Sequence, residues 1–259
     1  MNKRKLRFYQ GYEYFYKKLE KNTFFSTYCE RVFGIDFSQD GFSDIGQITE
    51  LLKLADIKPD AKVLDIGCGN GKLAEYISEL TGATVYGFDY SKHAIRTARK
   101  RVKGKERLIF EPGLIGEKEY PADFFDVIIA VDTMYFAPDL TQFVRQLYGW
   151  LKPEGVFLAF YGEGPFDKKS NNFDETPLAA AFCTNHIPYE GQDFTSQHFE
   201  LMKRKREVIT SMRDEFLHSK ISFYYQASVD QSIDPNMPYE EFIKKHDRFL
   251  YIARKIRNT

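Results

Sequence analysis

The stretch "VLDIGCGNGKLAEYI", Val63 to Ile77, brings a carboxylate and three glycines within a few positions of one another. Asp65 stands two residues before Gly67. Gly69 and Gly71 follow at single-residue intervals, with Cys68 and Asn70 between them. An apolar run precedes the cluster and a helical pattern follows it, so the glycines occupy a strand-to-helix turn. Backbone N–H groups at such a turn can point at a polar ligand, and the helix N-terminus adds partial positive charge. A Cβ would obstruct either the ligand's approach or the φ angles the turn needs. A second carboxylate, Asp89, ends the run "TVYGFD", eighteen positions after Gly71. It is suited to accept hydrogen bonds from both hydroxyls of a ribose, each such charge-assisted bond contributing about 1.5–3 kcal/mol.

Two nucleotide-like ligands compete for this arrangement. A nicotinamide dinucleotide favours Gly-x-Gly-x-x-Gly, with its pyrophosphate at the helix terminus. Here the spacing is Gly67-x-Gly69-x-Gly71, and Asp65 would repel a pyrophosphate. A carboxylate there favours a ligand carrying an ammonium group. S-adenosylmethionine (SAM) has one, together with a cationic sulfonium. Asp89 serves either ligand, so the discrimination rests on Asp65 and the alternating glycines. A NAD-linked oxidoreductase and a non-catalytic SAM-binding sensor or partner module stand as the alternatives to a SAM-using enzyme.

The elements that must position these residues follow from periodicity. Aromatics crowd the N-terminus from Phe8 to Phe42, and Tyr9, Tyr12, Tyr16 and Leu19 fit one helical face. One or two helices are expected there, either packed on a sheet or forming a lid over cofactor and substrate. "ITELLKLADI" reads as a short helix broken at Pro59. From Ala61, strand patterns alternate with helical ones: "KVLDIG", "TVYGFDYS", "RLIFEPG", "DVIIAVDTMYF" and "GVFLAFYGEG" as strands, with helices between. That alternation predicts an α/β fold, a doubly wound, mostly parallel sheet. A long polar stretch follows, with a short helix at "ETPLAAAFC", read as a cover over the site. "SQHFELMKRKREVITSMRDEFLHS" predicts one long amphipathic helix, and "RFLYIARKI" a last, antiparallel strand at the sheet edge. The expected organisation is a cap over 1–47, a SAM-binding core over 48–164, a substrate-covering insertion over 165–200, and a C-terminal helix and strand over 201–259.

With these residues in place, the chain resembles the class I SAM-dependent methyltransferases. "VLDIGCGNG" is similar to their first motif and "GFDYS" to their second, while "FFDVIIAVDTMYF" and "LKPEGVFLAF" look like their fourth and fifth strand segments. The likeness covers Ile48 to Phe160 and the terminal "RFLYIARK". It implies that Gly67, Cys68 and Gly69, with Asn70 beside them, line the methionine and ribose portions of SAM. Asp65 would hold the amino group, Asp89 the ribose diol, and Tyr90 would pack on the adenine. The region "FEPGLIGE" does not bring Glu111 into register, so backbone near Leu114 would hold the adenine amino group. Asp132 would face the sulfonium and the substrate entrance. Gln47 or Gln39 would reach the methionine carboxylate, with an ordinary polar loop as the plainer reading. Tyr135 is the candidate for substrate contact, and His186 for a general base, although a lone loop histidine is commonly just solvated. The implied activity is in-line transfer of the SAM methyl group to N, O or S of a small molecule.

Composition narrows the remaining classes. The 259 residues carry 37 Lys+Arg against 37 Asp+Glu, without the basic surplus of a nucleic-acid binder. No apolar run reaches membrane-spanning length, and the basic N-terminus lacks the apolar segment of a secretory signal. Cys29, Cys68 and Cys183 are odd in number and far apart, which predicts a reducing, cytoplasmic setting with no disulfide framework and no metal site. Cys68 reads as a small turn residue and "KRKRE" as a solvated helix face. A monomer or homodimer is expected.

Overall fold

The computed structural model describes residues 3–19, 22–162, 169–170 and 172–257. Two helices open the chain, α1 (Lys3–Leu19) and α2 (Thr23–Phe33), followed by α3 (Ile45–Ala55). The alternating segment comprises β1 (Lys62–Ile66), α4 (Lys72–Thr81), β2 (Thr84–Asp89), α5 (Lys92–Arg101), β3 (Leu108–Pro112), β4 (Phe125–Val131), α6 (Leu140–Trp150) and β5 (Leu151–Gly162). Beyond it come α7 (Pro177–Thr184), β6 (Glu190–Asp193), α8 (Thr195–Ser211), α9 (Arg213–Leu217), α10 (Ser222–Asp230), α11 (Tyr239–Phe242) and β7 (Arg248–Arg254).

The seven strands form one sheet in the order β3-β2-β1-β4-β5-β7-β6. The β1–β2, β2–β3, β1–β4 and β4–β5 pairs are parallel; β7 is antiparallel to β5 and to β6. Val63, Leu64 and Ile66, like Ile128, Ile129 and Ala130, are fully buried. Continuous apolar runs are what a parallel strand covered on both faces requires. One layer packs Phe143, Leu147 and Trp150 of α6 on the sheet, the other Ala74, Ile77, Ile95 and Ala98 of α4 and α5. Strand order reverses between β1 and β4, so their carboxyl ends open a crevice at the switch point.

Side chains set the helix starts. Asp44 caps α3 by accepting from Gln47 N, and Ser91 caps α5 by accepting from Ala94 N. Gly82 closes α4 in the left-handed conformation.

Four expectations change. β7 is not the edge strand, because Glu190–Asp193 pairs outside it; "EGQD" is polar and mostly exposed, so it carries no apolar alternation to read. β4 stops at Val131. Asp132 then turns left-handed with φ 58°, and Met134–Phe136 form a 3-10 turn. The long C-terminal helix breaks at Met212 into α8 and α9. Finally, the insertion's α7 packs into the core, with Phe182 stacked on Tyr189 and Thr176 hydrogen-bonded to the Tyr251 hydroxyl at 2.6 Å.

The aromatic N-terminus is the heart of a separate helical layer. Phe15, Phe25, Tyr28 and Phe33 bury against Leu201, Ile209, Phe216 and Tyr224 from α8–α10. Tyr28 and Ser228 join their hydroxyls at 2.6 Å across that layer. Helices from both ends of the chain thus form one cap over the carboxyl edge of the sheet.

Candidate functional site

The glycine turn is shaped by close neighbours. Gly67 and Gly69 have φ of 70° and 55°, in the left-handed region. A Cβ at Gly67 would stand 2.5 Å from Thr133 Cγ2, and one at Gly69 would run into the Tyr16 hydroxyl. Four of the turn's N–H groups are taken up within the protein. Gly67 N and Cys68 N both donate to Phe88 O, at 2.9 and 3.1 Å. Gly71 N donates to Cys68 O at 2.9 Å, and Gly69 N donates to Asp89 Oδ2 at 3.0 Å. These donors tie β1's turn to the end of β2. The turn thus brings the Asp89 carboxylate to the crevice beside Gly69.

Asp65 is 2% exposed, and among the described residues its Oδ2 has no hydrogen-bond partner. Burial, reinforced by the charge of Asp89, lifts its pKa to about 7. Asp89 is 7% exposed and accepts from Gly69 N through Oδ2 and from Ser91 N through Oδ1, the latter at 2.8 Å. Burial outweighs those two donors and raises its pKa to about 6. Each of its oxygens keeps a second lone pair for a ligand hydroxyl.

The crevice encloses about 1090 Å³ of empty space, part of it open to solvent. Asp65, Gly67, Cys68, Gly69, Asn70, Asp89, Tyr90 and Asp132 all line it. Tyr9, Tyr12 and Tyr16 of α1 wall it from the cap, and Phe37, Gln39 and Asp40 enter from the loop between α2 and α3. Tyr90 meets Tyr9 edge-on at 4.3 Å between centroids, and its hydroxyl donates to Tyr9 O.

Four candidates lie elsewhere. Gln47 is buried behind the wall: its Nε2 donates to Phe42 O at 3.2 Å, and its Oε1 accepts from Arg248 Nε at 2.6 Å. Of the two glutamines, Gln39 lines the crevice. Leu114 is flanked by the lining residues Gly113 and Ile115, but its carbonyl accepts from Glu117 N and Lys118 N at 3.1 and 3.2 Å. Tyr135 packs on Phe136 at 4.8 Å, one layer back from the cavity. His186 is exposed at the turn after α7 and is not among the residues that line the crevice. The described part of the 165–200 insertion contributes nothing to the lining.

Asp132 is not a free carboxylate at the entrance. Arg248, from the start of β7, donates to its Oδ1 at 2.7 Å and to its Oδ2 at 3.2 Å. Phe42 N and the Ser43 hydroxyl reach Oδ2 at 3.2 and 3.1 Å. Arg248 also donates to Ser43 Oγ and lies over the Phe160 ring at 4.7 Å. One buried arginine therefore joins β7, the tip of β4 and the loop that closes the crevice. Its sequence signal is slight: one of two arginines that bracket an apolar strand, with nothing in the pattern to mark it from Arg254.

SAM fits these residues on physical grounds. A buried carboxylate oxygen without a partner calls for a cationic donor, which the ammonium group supplies. The Asp89 oxygens suit a diol, and the crevice walls suit a flat base between rings. The strand order and this acidic, glycine-lined crevice are those of the class I, SAM-dependent methyltransferase fold, and residues 64–159 match the methyltransferase-domain family.

Individual relatives agree. A phosphoethanolamine N-methyltransferase of Triticum aestivum is 31% identical over 203 residues, covering 73% of this chain and 40% of that protein. Its Plasmodium falciparum namesake is 32% identical over 131 residues, covering 50% and 48%. The chain thus spans about two fifths of the wheat protein's length. Among solved structures, phosphoethanolamine N-methyltransferase 2 of Haemonchus contortus, in complex with phosphomonomethylethanolamine and S-adenosylhomocysteine, superposes with a TM-score of 0.70. It is 19% identical, and the match covers 94% of this chain and 60% of that one. The cyclase SpnF reaches 0.64 at 18% identity, covering 82% and 81%. That a cyclase shares the fold means the reaction must be argued from the site. No helix among the described residues is long and apolar enough to cross a membrane.

Proposed function

We propose that the chain transfers the methyl group of SAM to the nitrogen of a small-molecule amine. The observation that carries this is the charge of the crevice: its charged lining residues, among those described, are Asp40, Asp65, Asp89 and Asp132. Arg248 offsets Asp132 from behind the lining, and the other carboxylates concentrate cations and repel anions. The relatives named as N-methyltransferases support nitrogen, although a sterol 24-C-methyltransferase of Aspergillus fumigatus is 34% identical over 104 residues, covering 39% of this chain and 28% of that protein.

In this reading Asp65 holds the SAM ammonium and Asp89 the ribose hydroxyls. Gly67, Cys68, Gly69 and Asn70 form the floor beside them, and Tyr90 stacks with the base. When bound, SAM supplies an electrophilic methyl carbon and a neutral thioether leaving group. The acceptor's nitrogen lone pair forms the new N–C bond as the C–S bond breaks, and any nitrogen-bound proton leaves to a base or to water. The chain's own work is alignment and exclusion of water, which accounts for several kcal/mol of barrier reduction. Tyr9, Tyr12 and Tyr16 close the cap side, and Arg248 holds Asp132 and the 41–43 backbone in place. Tyr135 and His186 stand outside this scheme.

The test is incubation with methyl-labelled SAM and a pool of small amines, read by mass spectrometry. The expected result is label on nitrogen with equimolar S-adenosylhomocysteine. Tight SAM binding with no S-adenosylhomocysteine from any acceptor would favour a sensor module instead.

A further inference from the structure

We infer that Asp40, with the rings of Tyr12, Tyr16 and Phe37, forms a subsite for the ammonium group of the methyl acceptor. This rests on the methyl-transfer reading above and adds the acceptor's anchoring point.

Asp65 and Asp89 belong to the sheet and sit at the tips of β1 and β2. Asp40 belongs to the cap. It enters the same crevice from the loop between α2 and α3, and the cap holds it from behind. The Tyr224 hydroxyl of α10 donates to its Oδ1 at 3.0 Å. Among the described residues no hydrogen bond reaches its Oδ2. Lys205 Nζ pairs with Oδ1 from behind the lining at 4.0 Å, too far for a hydrogen bond, and donates to Gln231 Oε1 at 2.9 Å, which leaves Oδ2 as the oxygen open to a ligand. The side chain of Asp40 is 13% exposed, so its charge acts in a largely dry setting. Its field is felt by both Tyr12 and Tyr16.

A carboxylate with a free oxygen, faced by aromatic rings, is the chemistry that recognises alkylammonium groups. Coulomb attraction and cation–π attraction act together there, and both favour a positive ligand over its neutral isostere. An acceptor bearing phosphate would bring its negative charge against Asp40 and the neighbouring carboxylates. The acceptor class is therefore a small amine without an anionic group, held as its ammonium form and methylated once that nitrogen has given up a proton to water, which frees the lone pair.

The experiment uses the full chain loaded with S-adenosylhomocysteine and titrates three probes calorimetrically: choline, its neutral isostere 3,3-dimethylbutan-1-ol, and phosphocholine. Choline is expected to bind at least about tenfold more tightly than either of the others, and Asp40→Asn to weaken choline by about tenfold or more. S-adenosylhomocysteine affinity in Asp40→Asn is expected to stay within about twofold of wild type, which also reports that the variant is folded. Tyr12→Leu, which keeps the carboxylate and removes a ring, is expected to weaken choline as well. Choline affinity unchanged in Asp40→Asn, equal binding of the neutral isostere, tighter binding of phosphocholine, or no choline binding to the loaded protein would each overturn the subsite. Loss of S-adenosylhomocysteine affinity in Asp40→Asn would do so too, by moving Asp40 to the cofactor. Failure of wild type to bind S-adenosylhomocysteine at all would instead strike the methyl-transfer reading itself.

Discussion

Asp65 carries a burial cost that a proton or a cationic ligand relieves. Its folded pKa of about 7 lies above the ordinary 3.8, and that of Asp89 is displaced the same way, to about 6. For a carboxylate shifted upward, the folded state binds the proton more tightly than the unfolded chain. Stability is then lost as pH rises from about 4 through about 7, and levels off above it. The ligand-free protein is expected to melt at least about 3 °C lower at pH 7.5 than at pH 5, and Asp65→Asn to flatten that slope. The rise in melting temperature on adding SAM is expected to grow over the same pH range, because the ammonium needs the ionised Asp65. A melting temperature that climbs steadily from pH 5 to 7.5 would contradict the assignment. Asp65 and Asp89 are legible in the sequence because the motif fixes their spacing to the turn. Asp40 is not, since a short acidic side chain in a polar loop has no periodic signature. Gln47 and His186 mislead for the complementary reason: residue type suggests chemistry, while burial behind Arg248 in one case and exposure beyond α7 in the other remove it from the crevice.

At the scale of elements, the site depends on two joints. The first is the turn between β1 and α4, where Gly67 meets Thr133 and Gly69 meets Tyr16. Gly67→Ala is expected to lower stability by about 1–3 kcal/mol in denaturant melts and to abolish SAM binding, since it adds strain at a left-handed φ and a clash with β4's tip. The second is the Arg248–Asp132 pair, which fastens β7 to β4. Arg248→Met leaves a buried carboxylate without its cation and is expected to cost about 3–5 kcal/mol. Adding Asp132→Leu should recover part of that loss, a coupling that a double-mutant cycle measures. The parallel strands were readable because both of their faces are buried and their residues are apolar throughout. β6 was not, because three polar residues and a glycine become a strand only through pairing with β7. The break between α8 and α9 likewise follows from packing against α2 and α10, which the helical periodicity does not record.

For the whole molecule, the division of labour is between a sheet that presents carboxylates and a cap drawn from both chain ends. Phe15, Tyr28, Phe216 and Tyr224 bind the two ends together, so the N-terminal helices and the α8–α10 segment should unfold as one unit. Hydrogen exchange is expected to protect α2, α8 and α10 to a common degree, and SAM to raise the protection of the cap along with that of β1 and β2. Aromatic abundance announced an N-terminal helical layer; its partner helices, nearly two hundred residues away, are a matter of topology that no local pattern reveals. The most direct test of the whole account is calorimetric titration of SAM into wild type and Asp89→Ala at pH 7.5. One site per chain in wild type, weakened by at least about tenfold in the variant with the fold intact, is the expected result. No SAM binding to wild type, or equal affinity in the two proteins, would contradict it.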